Sequence, residues 1–194
     1  MVRLAVGADG YPLVRLAENQ PYFGFLPVTR AQFSGVLPAA GNVAEELLQT
    51  NVSYEGARAW LRQCGSPADL PPESVWRQVV TQASRIAFSP VLRSRLQQCE
   101  LSVEAASLLD RLLPEGDGST LADAMLMRHG ILEWVLPDQE CLRYRIMGYP
   151  GKSRFAMTGA VSDEALEMIS GAGHHLIGFR VQLSDFKRPC EYQI

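Results

Sequence analysis

Over residues 1–26 the apolar positions come in short bursts: Leu4 and Val6, then Leu13, Val14 and Leu16, then Tyr22, Phe23, Phe25 and Leu26. Gly7, Asp9-Gly10, Pro12 and Asn19-Gln20-Pro21 interrupt them, which predicts short strands joined by turns. The period then changes. Thr29 with Gln32 three residues on has the capping-box pattern, and Val28 and Phe33 flank it as a hydrophobic staple. A helix is predicted from there to about Leu37, stopped by Pro38. Ser53 caps a second helix, whose Ala57, Trp60, Leu61 and Cys64 form one apolar stripe. Glu55 suits its positive first turn, and Gly65 supplies the stop. Pro71-Pro72 open a third helix with Val75, Trp76, Val79, Val80 and Ala83 on one face. Residues 89–113 read as two more helical segments, one starting at Ser89-Pro90 and one capped by Ser102 and ending before Pro114. From Ile131 the pattern turns to strands: Ile131–Leu136, Leu142–Met147, Phe155–Thr158 and Leu176–Leu183. Helices early and strands late predict an α+β protein rather than repeated βαβ units.

Composition narrows the function classes. At 194 residues, 47% hydrophobic, residues 1–194 suffice for one domain with its own core. The net charge is −3 and no Lys/Arg run occurs, which argues against nucleic acid or a charged membrane surface as partner. The longest uncharged stretch, Ala31–Ala44, is broken by Gly, Pro, Ser, Asn and Gln, so no membrane span is expected. Met1-Val2-Arg3 leads to Asp9-Gly10 without a long apolar core; a cytoplasmic location with free thiols is the expectation. Cys64, Cys99, Cys141 and Cys190 are irregularly spaced and form no zinc motif. His174-His175 are neighbours that point different ways, with no carboxylate at the spacing a metal site needs. In Gly148-Tyr149-Pro150-Gly151-Lys152-Ser153 the first glycine stands too close to Gly151 for a phosphate-binding loop, and Pro150 removes a donor.

Five stretches, in order, resemble the formylglycine-generating enzyme (sulfatase-modifying factor) family. Phe25-Leu26-Pro27-Val28-Thr29-Arg30-Ala31-Gln32-Phe33 is similar to its "EVTNAQY/F" segment, and Asn51-Val52-Ser53-Tyr54-Glu55-Gly56-Ala57-Arg58-Ala59-Trp60 to its "PVSWEDARAYC". Leu70-Pro71-Pro72-Glu73-Ser74-Val75-Trp76-Arg77 resembles "LPTEAEWE", Gly130-Ile131-Leu132-Glu133-Trp134-Val135 resembles "GNVWEWT", and Gly178-Phe179-Arg180-Val181 the closing "GFR" strand. The first 24 residues lack the family's opening "GGxFxMG" strand. The resemblance implies a variant of the C-type lectin fold. In it, Trp60, Trp76 and Trp134 would tie helices to sheet, with Glu73, Glu133 and Arg180 in structural roles.

In active members of that family the resemblance implies copper(I) oxidation through two closely spaced cysteines, soft ligands that suit the metal. The corresponding interval here, roughly Tyr149 to Leu176, contains no cysteine; Cys141 precedes it and Cys190 follows it. The family's calcium-binding Asn falls at Leu126 and the glycine before its motif at His129, so Glu133 alone remains of that oxygen set. The expectation is therefore a non-catalytic binding module for a protein or peptide partner, needing no metal or cofactor. Two alternatives stand beside it: an enzyme of different chemistry, with a metal on Cys141, His174 or His175, and a structural subunit of a larger assembly. The helical insert 89–113 replaces a loop of the resembled family. Leu92 and Leu96 within one stripe, with Arg93 and Arg95 as a polar rim, are its candidate docking residues.

Overall fold

The computed structural model describes residues 2–34, 47–64, 69–114, 118–127, 131–138, 144–148, 177–183 and 192–193. Three short strands come first, β1 (Arg3–Val6), β2 (Pro12–Arg15) and β3 (Tyr22–Gly24). Among the described residues six helices follow: α1 (Arg30–Ser34), α2 (Tyr54–Gln63), α3 (Glu73–Ala83), α4 (Pro90–Gln97), α5 (Val103–Leu112) and α6 (Leu121–Ala124). Then come β4 (Leu132–Val135), β5 (Arg145–Met147), β6 (Ile177–Phe179), β7 (Gln182–Leu183) and β8 (Tyr192–Gln193). The class is α+β. The expected strand at Phe155–Thr158 lies outside the described residues, as does the expected stop at Gly65.

Local chemistry sets the helix starts. Thr29 Oγ1 accepts from the Gln32 amide at 3.1 Å, and Gln32 Oε1 accepts from the Thr29 amide at 3.0 Å, so both arms of the box form. Ser53, Ser89 and Ser102 each accept from the backbone N–H three residues on. A second box, Thr120 with Asp123, starts α6. That helix closes with Met127 N–H on Ala122 O and Leu126 N–H on Asp123 O, a Schellman pair that puts Leu126 at φ 59°.

Two sheets result. The larger has the order β7-β3-β2-β1-β8, all antiparallel; the smaller has the order β5-β4-β6, with β6 parallel to β4. The stretch Leu176–Leu183, expected as one strand, is divided. Its first part pairs with β4 and its second with β3, and the chain changes sheets at Arg180-Val181. At this change Arg180 is fully buried, and its guanidinium bonds both to Gly24 O in the larger sheet and to Glu133 in the smaller.

One core joins the inner face of the larger sheet (Leu4, Val14, Phe23) to Trp76, Val79, Leu92, Leu96 and Leu109 of the helices. A second gathers Val28, Val52, Tyr54, Leu61, Trp134 and Phe179 between α2 and the smaller sheet. Ala5, Leu13 and Tyr22, on the opposite face of the larger sheet, form a separate small cluster. The docking assignment for α4 is corrected here. Leu92 is 3% exposed and Leu96 fully buried, and with Cys99, Leu109 and Leu113 they belong to the main core, whereas Val91 and Val103 are exposed at 61% and 82%. The periodicity of α4 marked an apolar face that the main core already covers; on α5 the buried face runs through Ala105, Leu108 and Leu109, while Val103 is exposed.

Candidate functional site

Arg180 is the centre of a buried polar network. Its Nε and Nη2 donate to the two oxygens of Glu133 at 3.1 and 2.7 Å, a fork-to-fork pair. Nη1 donates to the carbonyls of Gly24 and Phe25 at 2.8 and 2.7 Å, and Nη2 also to that of Met125 at 2.9 Å. A guanidinium has five N–H donors, and each is used. Trp76 Nε1 donates to Glu133 Oε2 at 3.0 Å, and the Phe23 ring lies 5.4 Å below the guanidinium carbon. The network therefore bolts β3, α3, the turn after α6, β4 and the β6–β7 junction together. Burying a charge requires this degree of satisfaction, since an unpaired one would cost several kcal/mol, about 3–5 when one partner of a pair is removed.

The other tryptophans are ties as well. Trp134 is fully buried, donates to Val52 O at 2.9 Å and meets Tyr54 edge-on at 5.6 Å. Trp60 is half-buried, stacked on Phe33 at 5.7 Å and edge-on to Phe179. Glu73, in the first turn of α3, pairs with Arg77 and Arg145 at 2.6 and 2.9 Å. Arg93 donates to Pro114 O and lies over Phe88, so it braces the helical pair, while Arg95 is exposed. The Arg58–Asp69 pair sits over Tyr54. Burial pushes the Asp69 carboxyl up, but the Arg58 guanidinium and the Leu70 N–H outweigh it and hold the carboxyl below its ordinary value.

These residues do not fit a calcium cage. Both oxygens of Glu133 are taken by Arg180 and Trp76, and Leu126 offers only an aliphatic side chain. Cys99 is buried with its thiol donating to Arg95 O, and Cys64 is exposed at the end of α2, its thiol pushed up by burial and then by Asp9. Among the described residues, no three His, Cys, Asp or Glu side chains could share a metal. His129, Cys141, Cys190, His174, His175 and the stretch 149–153 lie outside the described residues.

A second polar arrangement, absent from the sequence expectation, lies at the β1–β2 turn. Asp9 Oδ1 accepts from the Tyr11 N–H at 3.1 Å and Oδ2 from Gln32 Nε2 at 2.8 Å. Gln32 thus closes the cap of α1 and holds Asp9 at once. Thr29, fully buried, donates its hydroxyl to Tyr11 Oη at 3.2 Å. Burial is the main cause that raises the Tyr11 phenol above its ordinary pKa. Beside this chain lies a small recess of about 30 Å³, lined by Leu13, Leu26, Val181 and Leu183 together with Asp9 and Gln32. The one sequence signal for it was the pairing of an Asp-Gly turn with a capping-box Gln, and nothing in either local pattern says that they meet.

No family model, curated protein or solved structure matches this chain. Among the described residues no helix is long and apolar enough to cross a membrane.

Proposed function

We propose that the chain is a divergent relative of the formylglycine-generating enzyme family, built on its variant of the C-type lectin fold. On this reading it is a cytoplasmic, non-catalytic module that binds a protein or peptide. The observation that carries the reading is the Glu133–Arg180–Trp76 network, which unites residues from three of the five resembling segments in one buried, saturated cluster. The other two segments adjoin it: Val28 N–H donates to Phe179 O, and Val52 O receives the Trp134 indole. Leu126 adds support. Its left-handed backbone favours Asn over any branched residue, and Asn is what the resembled family carries at that place. The scaffold is then kept while its carboxylate serves architecture, and a rigid core presenting loops is suited to recognition.

The test is incubation of the purified protein with copper(I), oxygen and a Cys-x-Pro-x-Arg peptide, read by mass for conversion of thiol to aldehyde. No conversion is expected. Turnover that disappears when Cys141 or Cys190 is changed to Ser overturns the non-catalytic reading.

A further inference from the structure

We draw no further inference here: the strongest candidate, the exposed apolar surface that Val91 and Val103 present in the first turns of α4 and α5, carries nothing, because nothing in the structure shows what covers it.

Discussion

Glu133 and Asp9 both set a carboxylate beside apolar surface, and the molecule uses them in opposite ways. Glu133 is 1% exposed and its partner Arg180 not at all; every donor and both oxygens are satisfied within the chain. Asp9 is exposed, with one N–H on each of its oxygens. The first joins segments that resemble a known family. The second lies within the first 24 residues, where that family's opening strand is missing. The lesson is that a buried carboxylate has to be matched within the chain, because a half-satisfied buried network is worse than none.

The largest effect we predict would break the comparison by restoring a third region as the binding face. Leu92→Ser with Leu96→Ser removes two buried side chains of α4. Each truncation of a core Leu costs about 2–5 kcal/mol, so the pair consumes most of a stability of about 5–15 kcal/mol. Thermal unfolding should shift down by tens of degrees or lose its cooperativity. A melt close to the parent's, with a partner no longer retained, would make α4 the docking surface after all.

A smaller effect sharpens the account of the network. Trp76→Phe keeps most of the ring but deletes the Nε1 donor to Glu133 Oε2. A buried acceptor losing one charged hydrogen bond costs about 1–3 kcal/mol, visible as a lower urea midpoint with an unchanged slope. An unchanged midpoint would mean that Arg180 alone satisfies the carboxylate.

The smallest effect contrasts the buried pair with a half-exposed one. Asp69 has its pKa lowered in the folded state, so its pairing with Arg58 stabilises above the unfolded value of about 3.9 and fades as pH falls through the lower folded value. Asp69→Asn should therefore be modestly less stable than the parent at neutral pH, and the gap should close below about pH 4. A gap independent of pH would assign the loss to packing.

Much of the fold was legible because its signals are local. Thr29, Ser53, Ser89 and Ser102 cap what their sequence positions announce, since each bond spans only three residues. The α+β class followed from the shift of period along the chain. Strand order did not, because β8 joins β1 and β7 joins β3 through contacts that no local pattern encodes. The apolar stripes of α4 and α5 showed that a face is buried without showing against what, which is how Leu92 and Leu96 came to be assigned to a partner. Arg180 and Glu133 were legible as structural residues, though their pairing across 47 positions was not. The recess was illegible for the same reason: Asp9, Gln32 and Leu183 converge from a turn, a helix cap and an edge strand.

The most direct test of the central contrast sets the two carboxylates side by side. Urea unfolding of Glu133→Gln and Asp9→Asn, each against the parent, reads what each carboxylate does for the fold. Glu133→Gln should lose about 3–5 kcal/mol, because it leaves the Arg180 charge buried without its counter-ion. Asp9→Asn should stay within about 1 kcal/mol of the parent, as an exposed side chain with two replaceable bonds. Equal losses, or a Glu133→Gln protein as stable as the parent, would contradict the division between a carboxylate that carries the fold and one that does not.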